Sequence, residues 1–252
     1  MKSPLTPSIR FNSLNHLRKK IKPNSKIRTL FLYDANLELS LSKLDHTILA
    51  HTNKSYIFEF WHTVLTEPRK LQELTKHYMQ FIDDGQLYSF QKDWFTNRNK
   101  LIRSMLFYIL SNCSDSNLAS CGKINKNKLT SYMMSRLSTF KPKNFFPFYS
   151  DSDNPLESLN NTGDVDYIIL PVGNYSLNLF EGGKNKGPEM YTFHHKSIHS
   201  RFSDLEKKCI VLYKRHPALF SLYASFNIEM IDKYGRLTSD RKACEELIIA
   251  NF

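Results

Sequence analysis

The sequence predicts an α/β protein with an open, mostly parallel sheet and a helical insert. Three observations lead to this fold class: strands and helices alternate over the first 85 residues, a polar and basic stretch then interrupts them, and a continuous apolar run returns at Val165–Leu170. Alternating elements build such sheets, and continuous apolar strands are typical of sheets covered on both faces. The 252 residues, 41% of them hydrophobic, are enough for a sizeable core.

The first part, residues 1–85, is predicted to form a β-α-β-α series. The expected elements are an amphipathic helix within 10–26, a strand at 27–33, a helical or extended segment at 37–44, a strand at 46–51, and helices at 54–64 and 68–81. Apolar side chains recur at helical spacing in the last two segments. Pro68 is suited to the first turn of the final helix.

The second part, residues 86–150, is predicted to be a helical, basic insert. A long helix at 86–112 ends apolar on nearly every side, 114–130 is a polar loop, and 130–140 forms a closing helix. Phe145, Phe146 and Phe148 follow, and they either anchor a partner or pack under the next loop.

The third part, residues 151–252, is predicted to complete the same α/β domain. We expect a polar loop at 151–163, a strand at 165–170, a Gly- and Lys-rich loop at 180–196, a helix through 202–209, and strands at 218–226 and 246–252.

The composition favours a polyanionic partner. The formal net charge is +11, and 13% of the residues are aromatic, a combination that suits nucleic acid. The charge is spread along the chain, so a basic protein without a specific nucleic-acid partner is the alternative.

The cysteines and the N-terminus indicate an intracellular protein. The four cysteines lack the C-x-x-C spacing of zinc sites and the density of disulfide scaffolds, and we expect them to be reduced: Cys113, Cys121, Cys209 and Cys244. No apolar leader follows Met1, and no stretch has the ~18 apolar residues of a membrane span. The expected location is the cytoplasm, or the host cytoplasm if the source is a virus.

Four segments together resemble a known family of enzymes. They are Leu30-Phe-Leu-Tyr-Asp-Ala-Asn36, Ile48-Leu-Ala-His-Thr-Asn53, Gly163-Asp-Val-Asp-Tyr-Ile-Ile-Leu-Pro-Val-Gly173 and the end of the chain from Asp240. In this order they are similar to D-L-F-C-G-G, to a strand ending in N-D, to G-D-x-V-Y-x-D-P-P-Y and to E-L-L-I-x-N-Y of the Dam-like adenine-specific DNA methyltransferases. The resemblance covers nearly the whole chain. It implies a Rossmann-like methyltransferase fold, S-adenosylmethionine as cofactor, DNA as partner, and target recognition by the insert.

The cofactor motifs depart from the family pattern. The positions that the resemblance assigns to the cofactor are Phe31, Asp34, Ala35, Asn36, Thr52 and Asn53. Phe31 stands at the first acid, and Ala35 and Asn36 replace two glycines, whose missing Cβ lets backbone approach the ligand. Thr52 replaces the carboxylate that accepts hydrogen bonds from ribose hydroxyls. Asp34 and Asn53 are the available substitutes, each with a shifted register.

The catalytic motif departs further. Its positions are Leu170, Pro171, Val172, Gly173, Asn174 and Tyr175. The family acid accepts a hydrogen bond from the adenine amine, and its aromatic residue stacks on the flipped base. Leu170 cannot accept a hydrogen bond, which leaves Asn174 and Tyr175 as substitutes. We therefore expect a catalytically silent relative, without cofactor, that binds DNA or a protein partner. The alternatives are an active S-adenosylmethionine-dependent enzyme with unusual motifs and a structural or assembly protein.

The predicted DNA contacts lie in the insert and in a later loop. They are Lys123, Asn125, Lys126, Asn127, Lys128, Arg136, Lys184 and Lys186. Lysine and arginine contact phosphates, and asparagine can read adenine edges. His194, His195 and His199 lack a convincing further ligand, so no metal site is expected. The stretch 181–187 resembles a phosphate-binding loop in composition only.

Overall fold

A seven-stranded sheet forms the centre of the computed structural model, which describes residues 2–161, 163–175, 187–191 and 193–252. The strands are β1 (Lys26–Thr29), β2 (Thr47–Thr52), β3 (Phe145–Tyr149), β4 (Tyr167–Gly173), β5 (Lys208–Lys214), β6 (Asn227–Asp232) and β7 (Cys244–Ala250). Their order is β3-β2-β1-β4-β5-β7-β6. The first five run parallel, and β7 is antiparallel to both β5 and β6. This doubly wound, mostly parallel order confirms the Rossmann-like methyltransferase fold.

Helices cover the sheet. In the described residues they are α1 (Leu14–Lys20), α2 (Asn36–Ser42), α3 (Ser55–Thr66), α4 (Pro68–Phe81), α5 (Asp84–Phe90), α6 (Lys100–Cys113), α7 (Ser131–Ser138), α8 (His195–Asp204) and α9 (Pro217–Leu222), with 3₁₀ turns at Trp94–Thr96, Lys126–Lys128 and Pro155–Asn161. None of these helices has the length and apolar character needed to cross a membrane. All four cysteines are free thiols.

The alternation of side chains along β4 divides the core into two halves. Tyr167 and Ile169 face a large cluster that includes α3, α4 and α6, while Ile168, Leu170 and Val172 face a second cluster with α8 and α9. Successive strand residues point to opposite faces, so a strand covered on both sides must be apolar throughout. This explains why the run was recognisable in the sequence.

The predicted insert shares the core of the α/β domain. α6 packs on α3 and α7 on α4, and Phe107 of α6 contacts Phe60 of α3 at a ring distance of 5.0 Å. The end of the predicted 86–150 segment, β3, pairs in parallel with β2 as an edge strand of the sheet. Phe145 is buried, and Phe146 is 53% exposed.

The predicted long helix at 86–112 is two helices. The Asp83 side chain accepts a hydrogen bond from Gln86 N in a capping box at the start of α5. The Asn99 side chain accepts from Leu101 N and Ile102 N and starts α6. Polar capping residues inside an apolar stretch thus divide it.

Two predictions near the C-terminus were wrong. The helix expected through 202–209 ends at Asp204, and the apolar run Cys209–Tyr213 belongs to β5, in the middle of the sheet. β-branched Ile210 and Val211 favour a strand there. The strand expected at 218–226 is replaced by the short helix α9, which begins at Pro217 with the His216 side chain accepting from Ala218 N at 3.2 Å.

A buried carboxylate holds the N-terminal segment, residues 2–13, on the sheet. Glu246 of β7 is 1% exposed. It accepts hydrogen bonds from Asn12 N at 2.8 Å and from Ser13 N at 3.0 Å, and its Oε1 lies 2.7 Å from the ammonium group of Lys214. Since backbone amides and an ammonium group meet on one acid, its removal leaves several buried donors without an acceptor.

We predict that Glu246→Ala lowers the free energy of unfolding by about 3 kcal/mol, because buried donors lose their acceptor. Urea unfolding followed by circular dichroism measures the change. Its exposed neighbour provides the control, as Glu245→Ala should change stability by no more than about 0.5 kcal/mol. Equal effects of the two substitutions would contradict this role of Glu246.

Candidate functional site at the sheet switch point

A cavity of about 360 Å³ lies beyond the carboxyl ends of β1 and β4. The chain leaves β1 toward β2 on one side, and β4 lies on the other, so the cavity is at the point where the strand order reverses. Open α/β sheets bind ligands at this place. Residues of 7–14, 31–40, 171–172 and 189–191 line the cavity, together with Leu118 and Phe193. We call it the switch-point cavity.

The turn after β1 keeps a backbone conformation that favours glycine. Phe31 has φ 62° and Ala35 has φ 54°, both in the left-handed region. Ala35 occupies one of the two positions where the resemblance expects glycine. A Cβ in this conformation is strained, and Ala35 is held there while buried at the start of α2.

Asp34 ties the N-terminal segment to this turn. Its Oδ2 accepts hydrogen bonds from Ser8 N at 2.9 Å and Ser8 Oγ at 3.1 Å. Its Oδ1 accepts from Asn36 N at 3.0 Å and from Asn36 Nδ2 at 2.8 Å. Both carboxylate oxygens therefore already serve protein donors, and a ligand would have to displace these bonds.

An aromatic side chain is the hydrogen-bond partner of Thr52. The Tyr191 hydroxyl lies 2.6 Å from Thr52 Oγ1 and donates to the carbonyl of Leu32 at 2.9 Å. Phe31 packs edge-on against the rings of Tyr191, at 5.3 Å, and Phe193, at 4.7 Å. The position that the resemblance assigns to a ribose-binding carboxylate thus carries a hydroxyl bound to a tyrosine of the same chain.

Asn53, the other proposed substitute at the end of β2, points toward a different loop. Its Nδ2 donates to the carbonyl of Ser152 at 2.9 Å, and the residue is absent from the wall of the switch-point cavity. The structure therefore separates Asn53 from Asp34, Ala35 and Asn36, which the cavity brings together.

Two further carboxyl groups line the cavity. Glu38 is 4% exposed, and burial raises the pKa of its carboxyl to about 7, with the nearby Asp34 adding to the rise. Glu189 is fully buried and accepts from Ser120 N at 2.8 Å and Ser120 Oγ at 2.7 Å. The cavity wall is aromatic and acidic.

The segment to which the resemblance assigns the catalytic motif, residues 170–175, divides between core, cavity and surface. Leu170 is fully buried in the core, whereas Pro171 and Val172 line the cavity. Gly173 has φ 77°, and a Cβ there would lie 2.6 Å from Ile9 Cδ1, so the N-terminal segment packs closely on the end of β4. Asn174 is exposed.

Tyr175 packs within the protein. Its ring lies 4.4 Å from the ring of His195 and 4.6 Å from that of His216, and it does not line the switch-point cavity. Both of its neighbours would have to move before a flipped base could stack on this ring in their place.

The histidines form part of the same aromatic packing. His195 Nδ1 lies 3.1 Å from the Tyr213 hydroxyl, and burial lowers the pKa of His195 to about 4, helped by His194 and His216. The ring of His199 lies 5.1 Å from that of Tyr223. Within the described ranges, no three His, Cys, Asp or Glu side chains are placed to hold a metal ion.

The basic residues of the insert lie in one loop and on α7. The ammonium groups of Lys126 and Lys128 donate to the carbonyls of Ile82 and Ser114, and Arg136 donates to the carbonyl of Lys2 at 2.8 Å. The Asn125 side chain accepts from Asn127 N at 3.0 Å. Lys123 is exposed. Lys184 and Lys186, and most of the 181–187 loop, lie outside the described residues.

Sequence reasoning missed the residues that shape the cavity most. Glu189, Tyr191 and Phe193 lie in a stretch predicted to be a loop, and residues 2–9 received no assignment ahead of the helix predicted within 10–26, which the structure confirms as α1. The signal available in the sequence was that two aromatic residues, Tyr191 and Phe193, stand two positions apart in this stretch. The contact of Tyr191 with Leu32 joins positions far apart in the chain, and a local pattern does not encode such contacts.

Comparisons with known proteins assign no family to the chain. No protein-family model matches the chain, and no curated protein matches it. Among solved structures, a chain from a crystal structure of a fibrillarin/Nop5p complex is similar with a TM-score of 0.39 and 9% identity, over 100% of this chain and 90% of that one. The fold assignment rests on the strand order and directions of the chain itself.

We predict that Glu38 makes the protein less stable as the pH rises from about 4.5 to about 7. In this window the folded carboxyl keeps a proton that the unfolded chain releases, so the unfolded state gains relative to the folded state. Glu38→Gln should flatten this dependence and stabilise the protein at pH 8 by on the order of 2 kcal/mol.

Urea unfolding across this pH range measures both effects. Glu73→Gln, which changes an exposed carboxyl on α4, is the matched control and should leave the profile as it is in the unsubstituted protein. A Glu38→Gln profile parallel to that of the unsubstituted protein would contradict the prediction.

Proposed function

We propose that the chain is a catalytically silent relative of the Dam-like DNA adenine methyltransferases that functions by binding DNA. The observation that carries this proposal is the contact of Tyr191, which lines the switch-point cavity, with Thr52 and Leu32, which are fully buried and do not line it. It puts an internal hydrogen bond where the resemblance places recognition of the cofactor ribose.

The cofactor side of the cavity supports loss of methyl transfer. A ribose diol is best recognised by a carboxylate, which accepts from both hydroxyls. Thr52 offers one oxygen, which is already bonded to Tyr191, and the carboxylate of Asp34 is saturated by Ser8 and Asn36. S-adenosylmethionine therefore does not fit these residues at its ribose end.

The acceptor side supports the same proposal. Methyl transfer to the adenine amine requires an acceptor for its hydrogen bond as charge develops. Leu170 lies in the core, and the ring of Tyr175 is packed between two histidines. Loss of one such transition-state interaction typically costs about 2.7–4 kcal/mol, and this chain departs from the family pattern at several positions together.

The net charge of +11 supports retention of a DNA partner. Cationic side chains release counterions from DNA when they bind phosphates, and this release favours association. The carboxylates of Asp34, Glu189 and Glu246 are turned inward onto protein donors, so these three negative charges do not face a DNA partner.

The cavity favours one second candidate, a retained small-molecule site. Its volume of about 360 Å³ and its place at the switch point are typical of ligand sites in open α/β sheets. The glycine-like turn at Ala35 is preserved as well. An active enzyme would use this cavity for S-adenosylmethionine, whereas a structural or assembly protein would bind neither cofactor nor DNA.

We predict that the purified, folded protein shows no micromolar binding of S-adenosylmethionine in calorimetric titration, because the ribose contacts are missing. S-adenosylhomocysteine serves as the second ligand, since it lacks the positive sulfonium charge. Tyr191→Ala tests whether the ring alone closes the site, because this variant should then gain affinity. Saturable binding by the unsubstituted protein, followed by methylation of adenine-containing duplex DNA, would overturn the silent assignment.

We predict that DNA affinity falls steeply with salt and that Lys123→Glu weakens it on all sequences while lowering the salt slope by about 1. Lys123 suits this test because its side chain is exposed, whereas Lys126 and Lys128 also anchor the loop. Fluorescence anisotropy on a labelled duplex measures both quantities.

The control is Lys43→Glu, which makes the same charge change on an exposed residue just after α2. Lys43 precedes β2 and so lies near the amino ends of the parallel strands, whereas the cavity lies at their carboxyl ends. Equal effects at both positions would contradict a contact through the insert. Absence of DNA binding by the unsubstituted protein would overturn the proposed function and favour a protein partner.

A further inference from the structure

The loop between β6 and β7, residues 233–243, projects from the cavity edge of the sheet. β6 runs in the direction of β5, and β7 returns antiparallel to it. The loop therefore lies beyond the carboxyl ends of the parallel strands. We call it the hairpin loop.

The tip of the hairpin loop is a tight turn held by several hydrogen bonds. Asp232 Oδ1 accepts from Tyr234 N and Arg236 N, both at 2.8 Å. Gly235 N donates to the carbonyl of Asp232 at 3.0 Å, and Asp232 N donates to the carbonyl of Arg236 at 2.9 Å. Gly235 has φ 75°, a conformation that glycine adopts without strain. The positions of the side chains on the turn are thus fixed by the backbone.

Tyr234 is presented to solvent with two exposed cationic side chains near its ring. It is 70% exposed, with the Lys233 ammonium 5.0 Å and the Arg236 guanidinium 5.7 Å from the centre of its ring. An exposed ring with adjacent positive charge is the arrangement that proteins use to stack on a nucleic-acid base while contacting the neighbouring phosphates.

The charge of the hairpin loop is strongly positive. Residues 233–242 contain four cationic side chains, Lys233, Arg236, Arg241 and Lys242, against the single carboxylate of Asp240. That carboxylate accepts from Lys242 N at 2.8 Å, while all four cations are exposed. The loop therefore complements a polyanion.

The N-terminal segment connects the hairpin loop to the switch-point cavity. Asn12 Nδ2 donates to the carbonyl of Lys233 at 3.4 Å, and His16 Nε2 lies 2.9 Å from the carbonyl of Gly235. Arg10, two residues before Asn12, is exposed and contributes to the cavity wall. The N-terminal segment thus contacts the hairpin loop and also carries a cation, Arg10, at the cavity wall.

We propose that the hairpin loop binds single-stranded or locally unpaired nucleic acid, with Tyr234 stacking on a base and Lys233, Arg236 and Arg10 contacting phosphates. This inference rests on the proposed function and adds, beside the duplex contact expected at Lys123 of the insert, a surface outside the insert that takes unpaired strands. Stacking requires a base with a free face, so an unpaired strand is the preferred ligand.

The insert offers a closely matched comparison. Tyr132 on α7 is 71% exposed, and the Arg136 guanidinium lies 5.9 Å from its ring centre. It has the same exposure and a cation on its ring, but it lies on the part of the chain where the sequence predicted DNA contacts. Tyr132→Ala is therefore the control for Tyr234→Ala.

The test measures the affinity of the full chain for a fluorescent single-stranded oligodeoxynucleotide and for its duplex, by anisotropy at several salt concentrations. We expect Tyr234→Ala to weaken single-strand binding roughly 10-fold or more and to affect the duplex less. Lys233→Ala and Arg236→Ala should each reduce the salt slope by about 1. Tyr132→Ala should change neither affinity.

Three outcomes would overturn the inference. If Tyr132→Ala weakens binding and Tyr234→Ala does not, the contact lies on the insert, and the proposed function stands without the hairpin loop. If Tyr234→Ala and the two cation variants weaken binding to polyglutamate as much as to the oligonucleotide, the surface recognises charge alone. If the unsubstituted protein binds neither strand nor duplex, the proposed function fails together with this inference.

Discussion

The buried carboxylate of Glu246 determines how the functional edge of the molecule is assembled. This carboxylate of β7 accepts hydrogen bonds from backbone amides of the N-terminal segment and from the ammonium group of Lys214. A carboxylate away from water is stable only when donors surround it, so the segment is held in one place. Asp34 holds the same segment at Ser8. The segment therefore forms one wall of the switch-point cavity and contacts the hairpin loop.

The cavity combines a glycine-like backbone turn with an aromatic wall. Ala35 adopts the left-handed conformation that favours glycine, although its Cβ is strained there. Tyr191 and Phe193 line the cavity near this turn, and the Tyr191 hydroxyl bonds to Thr52 and Leu32 of the same chain. Strand order depends on apolar burial, whereas the chemistry of a site depends on a few polar atoms, so the fold by itself does not determine what the cavity does.

The sequence predicted the parts of the fold that depend on local patterns. Pro68 and the helical spacing after it gave the bounds of α4, and the apolar run at Val165–Leu170 gave the strand beside the cavity. β5 was missed because its apolar run follows a helical pattern closely, and only burial between two sheet neighbours selects the strand. Cap residues such as Asn99 decided where an apolar stretch becomes two helices.

The candidate site was only partly predictable for a related reason. Asp34, Ala35 and Asn36 follow a strand directly, and their place at its carboxyl end follows from topology. Tyr191 meets Thr52 only through tertiary folding, and Asn53, one residue after Thr52, points away to Ser152. Adjacent residues at a strand end face different directions, so a motif position does not by itself establish a ligand contact.

Gly235 allows a close backbone contact between the hairpin loop and the N-terminal segment. A Cβ at this position would lie 2.8 Å from the carbonyl oxygen of Asn12, so the turn and the N-terminal segment touch backbone to backbone, with no side chain to yield between them. The tip of the hairpin loop and the wall of the cavity are therefore in direct backbone contact. Any larger residue at position 235 would have to push the turn, and Tyr234 with it, away from the N-terminal segment.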